Sequence, residues 1–203
     1  MVSPAPDPPA FAFDKIHGFP PLFTLQPNMT TRAAQLERWS DMVRAYCAHH
    51  RVFRLATHDA TGAGVLPVHA EAIFANARIG RRLDAAGVRA VMAHMVAQGR
   101  AEAVGGAGAD DDAAGGGAGV FFVWWRTPDD WAEAVRAWVD ATAQAGSVVT
   151  LFEMTEGEAA RGSELAGLDG DVLKRALGVL ERQKRAQMIS TGGGEMGVKF
   201  FAS

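Results

Sequence analysis

Eighty-five residues separate two stretches of this chain that carry one pattern, and that offset restricts the fold more than any other feature. Asp84, Val88, Val91, Met92 and Met95, followed by QGRA at 98–101, align with Asp169, Leu173, Ala176, Leu177 and Leu180, followed by QKRA at 183–186. Val104 extends the match to Ile189. In each copy an Asp stands before apolar residues spaced three and four apart, the sign of an N-capped amphipathic helix, and a strand-like stretch follows. A chain of 203 residues holding two copies of such a unit has room for two small domains, and 48% apolar residues give each a core.

Periodicity supplies the remaining elements. Leu36, Trp39, Met42, Val43 and Tyr46 predict a helix from residue 30 or 31 to about 50. A short strand at 52–55, a short helix at 68–74 that fades by residue 76, a helix at 85–98 and a strand at 100–104 follow. Residues 120–125, VFFVWW, form a second strand, and the stretch 105–119, made only of Gly, Ala and Asp, is expected to be a flexible hairpin tip between them. Thr127 as N-cap and Pro128 at the first helical position open a second unit. Its helix, carrying Trp131, Val135, Trp138 and Val139, runs to about residue 144. A strand at 147–152 running into a short helix comes next, then a helix at 171–183 and a hairpin of 185–189 with 198–201 across a glycine-rich turn. The expected fold is α+β: two tandem winged-helix domains, 30–127 and 128–203, each of three helices with a small antiparallel sheet, behind an extended proline-rich arm at 1–29.

Within the arm, residues 19–28 read FPPLFTLQPN. Pro20, Pro21 and Pro27 hold the backbone extended while Phe19, Leu22, Phe23 and Leu25 project apolar surface. Such a segment needs cover, either from another polypeptide or by folding back over the first domain. A stiff Pro-Pro pair between phenylalanines loses little backbone entropy on docking, which favours a partner's pocket. Trp124, Trp125, Trp131, Trp138 and Trp39 fit strand and helix periods and are expected in packing.

Catalytic constellations are weak. Gly192 to Gly197 has the glycine spacing of a phosphate loop, but Val198-Lys199 stands where Lys-Ser/Thr belongs and the segment precedes a strand, so it reads as a hairpin turn. Cys47, His49 and His50 do not converge on one metal from a helix, and neither His58-Asp59 nor His69 with Glu71 has an accompanying nucleophile. No enzyme activity, metal or cofactor is expected. The single cysteine fits a reducing compartment, and with no apolar run of about 20 residues and no secretory signal, a soluble cytoplasmic protein is the expectation. Winged helices often read DNA, so a DNA-binding or transcription-associated protein is the alternative. Charge speaks against it: residues 31–127 carry 11 basic and 9 acidic side chains, residues 128–203 carry 8 and 12.

Several segments together resemble a known family. FPPLFTLQPN, TR-x-x-QL-x-x-W at 31–39, IFANARIGR at 73–81, WWRTPDDW at 124–131, SVVTLFEMTEGE at 147–158 and GVKFF at 197–201 are similar to the small winged-helix subunit of the ESCRT-II endosomal sorting complex, the vacuolar protein-sorting-associated protein 25 family. The resemblance implies a non-enzymatic subunit, two copies per Y-shaped complex. Its proline-rich arm and first domain would dock on two larger winged-helix subunits, and its second domain would recruit the ESCRT-III entry subunit. That places it in the cytoplasm and peripherally on endosomes and multivesicular bodies, in sorting of ubiquitinated cargo, with membrane association only indirect and no specific nucleic acid. The partner-binding residues it implies are Phe19, Pro20, Pro21, Leu22, Phe23 and Pro27, with Arg81 matching a family arginine that pairs with an acidic residue of the larger subunits. The family often has Tyr where Phe23 stands, Gln where Gly80 stands and a shorter wing than 105–119, and Pro8-Pro9-Ala10-Phe11 only loosely matches its second proline anchor. The acidic second domain suits a Lys- and Arg-rich partner helix.

Overall fold

The computed structural model of the protein describes residues 11–57, 66–104, 119–191 and 195–201. The arm's first ten residues, His58-Asp59, the expected hairpin tip save Gly119, and 192–194 of the glycine-rich turn lie outside the described residues. The chain divides into two compact units, one ending at Trp125 and the other beginning at Arg126.

In the first unit, α1 (Met29–His50) starts on Asn28, whose side chain accepts from the Thr31 amide, and ends at Arg51 in the left-handed conformation. Then follow β1 (Arg54–Ala56), α2 (Val68–Phe74), a hairpin of β2 (Ala75–Asn76) with β3 (Arg81–Arg82), α3 (Ala85–Ala97), β4 (Ala101–Ala103) and β5 (Val120–Val123). The antiparallel sheet has the order β1-β5-β4, with Leu55 opposite Phe121 and Glu102 opposite Phe122. The second unit repeats the plan: α4 (Pro128–Ala141), β6 (Val148–Thr150), α5 (Leu151–Thr155), α6 (Gly170–Arg182), β7 (Ala186–Thr191) and β8 (Glu195–Phe200), with sheet order β6-β8-β7. This is the tandem winged-helix arrangement expected from the repeat.

The repeat extends to single backbone atoms. Asp84 caps the Gly87 amide and Asp169 caps Asp171 and Val172. Gly99 and Lys184, 85 apart, both take positive φ, +66° and +59°. The next amides close each helix alike: Arg100 N–H donates to Met95 O at 2.8 Å and Arg185 N–H to Leu180 O at 2.9 Å.

The first core joins Trp39, Val43, Cys47, Phe74, Val91 and Met95 across three helices and the sheet. The second holds Trp131, Val135, Leu173, Leu177 and Phe200. Trp124 and Trp138 are also buried, while Trp125 is half-buried with its ring 4.6 Å from Phe53. The β2–β3 hairpin has no counterpart in the sequence reading, where only a fading helix was expected.

Candidate docking site

Residues 11–28 do not form a separate extended arm, which corrects the sequence expectation. They fold as two consecutive 3-10 turns, Lys15–Gly18 and Pro20–Phe23, joined at Phe19. Prolines at the first two positions of the second turn supply the required φ without needing their missing N–H. Leu22 N–H donates to Phe19 O at 3.0 Å, and Thr24 N–H to Pro21 O at 3.3 Å.

The turn is anchored by α1. Gln35, buried on the apolar face one helical turn before Trp39, donates through Nε2 to Leu22 O and Thr24 O, both at 2.8 Å, and its Oε1 accepts from Gln26 N–H at 3.1 Å. Trp39 Nε1–H donates to Leu22 O at 3.2 Å. Leu22 and Phe23 therefore sit within the chain's own core, each 4% exposed, with the Phe23 ring edge-on to Trp39 at 5.4 Å. Both were expected on a free plug. Their burial follows from pitch: a 3-10 turn carries i+2 and i+3 toward the helix that Gln35 offers, whereas an extended segment would point them outward.

What remains at the surface is the first half of the motif. Phe19 is 55% exposed, and Pro20 and Pro21 are exposed beside it. Pro27, also exposed, lies next to the α1 cap. Strand β3 packs against the Pro20–Phe23 turn, bringing Arg81 alongside the apolar surface. The Arg81 side chain is exposed with no hydrogen bond or ion pair among the described residues, whereas that of its neighbour Arg82 is tied to Glu71 at 2.6 Å. Phe19, Pro20, Pro21 and Arg81 thus form one apolar and cationic surface, the shape of a site for a pocket with an acidic rim.

Three residues that sequence reasoning did not single out hold this surface: His17, Gln35 and Asn76. Gln35 had a signal, a polar residue on the apolar stripe four before Trp39. His17 and Asn76 had none. Phe11, set aside as a loose anchor, packs edge-on to Tyr46 at 5.3 Å.

The residues weighed for chemistry have structural partners. Cys47 is buried and its thiol is pushed up to about 12 by desolvation. His69 Nδ1 meets the Tyr46 hydroxyl at 3.2 Å and Glu71 pairs with Arg82, so these two are no acid–base couple. No group of three His, Cys, Asp or Glu side chains able to hold a metal occurs among the described residues. The exposed positions of α3 are chiefly Ala85, Ala86, Ala93, Val96 and Ala97, with Arg89 the lone cation there, and on α6 Lys174 is paired to Asp171 at 3.2 Å. On α3 that is too little charge for a phosphate-binding face, whereas α6 and the residues after it also expose Arg182, Lys184 and Arg185.

The second unit has a surface of its own. Phe152 is 65% and Val148 48% exposed beside a shallow cleft of about 210 Å³ whose lining includes Trp138, Val149, Glu153 and Glu158. Trp138 Nε1–H donates to Ala159 O at 3.0 Å, fixing the cleft wall. Glu153 closes a capping box with Thr150, and the Thr150 amide and then its hydroxyl hold the carboxyl below the usual range. With Glu156 and Glu158 exposed nearby, the rim is acidic around an apolar centre.

The family described as ESCRT-II complex subunit matches residues 16–169. The chain is similar to the vacuolar protein-sorting-associated protein 25 of Xenopus laevis, 31% identical over 185 residues covering 91% of this chain and 95% of that protein. Its likeness to the Homo sapiens protein of that name is 32% over 183 residues, 90% and 93% of the two chains. The fold superposes on the crystal structure of subunit VPS25 of the endosomal trafficking complex ESCRT-II with a TM-score of 0.74 at 22% identity, covering 93% of this chain and 98% of that one. The crystal structure of endosomal complex ESCRT-II (VPS22/VPS25/VPS36) matches at 0.71 and 23%, over 91% and 97%.

Proposed function

The chain belongs to the ESCRT-II complex subunit family, and from that premise we propose that it is a non-enzymatic adaptor docked on two larger winged-helix subunits through Phe19, Pro20, Pro21 and Arg81. Two copies enter each complex. Its second unit recruits an ESCRT-III subunit, and the assembly works in the cytoplasm and peripherally on endosomal and multivesicular membranes, in sorting of ubiquitinated cargo. No described helix is long and apolar enough to cross a membrane.

The observation that carries this reading is the division within one short motif. Leu22 and Phe23 are spent on the chain's own core, while Phe19 at 55% exposure and the two prolines stand out in a preorganised turn beside an unpaired Arg81. Exposed aromatic and proline surface with so little entropy left to lose is the chemistry of an anchor. The solved complex to which the chain is similar places VPS25 with VPS22 and VPS36, which supports large sister subunits as the receivers. Leu22 and Phe23 then act indirectly, by holding the turn.

Phe19→Ala combined with Arg81→Ala should abolish co-purification with the two larger subunits while leaving the melting temperature near that of the unmodified chain. Retention of both partners at unchanged stoichiometry would reject the docking role. For the second unit, Phe152 and Val148 within the acidic rim suit an amphipathic Lys- and Arg-rich segment of an ESCRT-III subunit. Association should quicken at low ionic strength and fall at least tenfold with Phe152→Ala; rates indifferent to salt would argue against it.

A further inference from the structure

The two halves of the proposed docking surface come from segments about sixty residues apart, and one small polar network joins them. His17 lies 6% exposed between rings, stacked on Phe13 at 4.1 Å, with Phe23 at 5.4 Å and Trp39 at 6.1 Å. Its Nε2 reaches Ile73 O at 2.9 Å; a carbonyl only accepts, so Nε2 carries the proton and donates. Asn76 Nδ2 donates to His17 O at 2.8 Å and faces His17 Nδ1 at 3.3 Å. Asn76 Oδ1 accepts from Arg78 N–H at 3.1 Å, which fixes the amide's orientation. His17 is two residues from Phe19, and Asn76 is the cross-strand partner of Arg81.

Resting on the docking reading above, we propose that His17 and Asn76 form a latch that positions the Phe19-Pro20-Pro21 turn against Arg81, and that the latch closes only on neutral His17. Every polar atom is committed to that state. A proton on Nδ1 would point an N–H at the Asn76 N–H, and the amide cannot turn to accept it without abandoning Arg78. Burial, opposed by the Ile73 carbonyl, lowers the pKa of His17 below the ordinary imidazole value. The closed latch is therefore favoured above about pH 6.5 and weakens as pH falls below it, because the open state takes the proton first.

The charged and titratable groups on the surrounding elements leave this sign unchanged. Asp14, on the same turn, is occupied capping Ile16 N–H, and Lys15 is exposed. On α1, Tyr46 is reached only through Phe13, and His49 and His50 lie against Phe11. On α2, Glu71 is held by Arg82 and His69 by Tyr46. In the hairpin, Arg78 approaches Gly18 so closely that a Cβ there would lie 3.1 Å from its Nη2. None of these is a carboxylate bonded to the His17 ring; among the described residues its ring nitrogens meet only Ile73 O and Asn76 Nδ2.

Amide exchange in the full chain, corrected for the intrinsic pH dependence of exchange, tests the latch at pH 7.5 and 5.5. Protection of the Leu22 and Thr24 amides should fall by up to about tenfold, the limit for one proton over one pH unit below 6.5, while that of α3 holds. His17→Phe keeps the stack and the Asn76 bond to the residue 17 carbonyl, and removes the two ring hydrogen bonds and the titration. It should be less protected at pH 7.5 and flat with pH. Asn76→Ala, which removes the opposing N–H, should show a shallower fall and serves if the first variant misfolds. Equal protection of the unmodified chain at the two pH values, or a fall in His17→Phe as large as in the unmodified chain, overturns the latch. Affinity for the two larger subunits should weaken in parallel with exchange. Should Phe19→Ala bind those subunits normally, the docking role fails on that measurement, and the exchange data still decide whether the latch exists.

Discussion

Phe19 and Phe23 are the same residue type four apart in one motif, yet the fold gives them opposite tasks. Phe19 is 55% exposed and Phe23 4%, so truncating them should separate binding from stability. Phe23→Ala should destabilise the first unit by about 3–5 kcal/mol in urea denaturation, whereas Phe19→Ala should leave the unfolding midpoint nearly unchanged. Using the two together to test docking would confound loss of a contact with loss of the core. Gln35 is the residue that commits the turn, and Gln35→Ala, leaving the Gln26 N–H without its partner and removing one of two donors from Thr24 O, should cost about 1–3 kcal/mol by the same measurement. A melting curve unaffected by that change would show the turn to be held by apolar burial alone. The composition of the motif was readable in the sequence. Which ring faces inward was not, because proline fixes φ but permits both an extended segment and a 3-10 turn, and the choice rests with a glutamine on α1, whose bonds reach back 11 residues to Thr24 and 13 to Leu22.

Among the elements, the helices were the most legible part, since Asp84, Thr127 and Asp169 each announce a cap in the local sequence and the apolar spacing does the rest. The equivalent helix ends differ in one telling residue. Gly99 adopts φ +66° at no steric expense, while Lys184 takes φ +59° against its own Cβ. Lys184→Gly should therefore stabilise the second unit by up to about 1 kcal/mol and Gly99→Ala destabilise the first by about that amount, read from paired thermal melts. A stabilising Gly99→Ala would mean that the chain escapes the left-handed conformation there. The β2–β3 hairpin stayed invisible because strands of two residues each have no period to detect, and its register, Asn76 opposite Arg81, is set by the Gly80 turn at φ +60° and by the latch on His17. That short hairpin is what carries Arg81 to the apolar turn.

At the scale of the whole molecule, each unit has its own three-stranded sheet and its own buried set, with division between Trp125 and Arg126. A fragment of residues 126–203 should fold alone, with a cooperative thermal transition and the far-ultraviolet signature of helix and sheet; a fragment lacking a cooperative transition would show that the second core depends on the first. The sequence by itself determined the architecture, because a repeat offset of 85 residues, cap residues and apolar spacing are local signals that survive without knowledge of any distant contact. It also displayed the family-like words that point to an adaptor. Only the tertiary structure decided which half of the proline motif stays exposed, that Arg81 stands beside it, and that His17 and Asn76 tie the two. Those outcomes depend on hydrogen bonds and ring contacts between residues tens of positions apart, and nothing in the local sequence around any one of them encodes its distant partner.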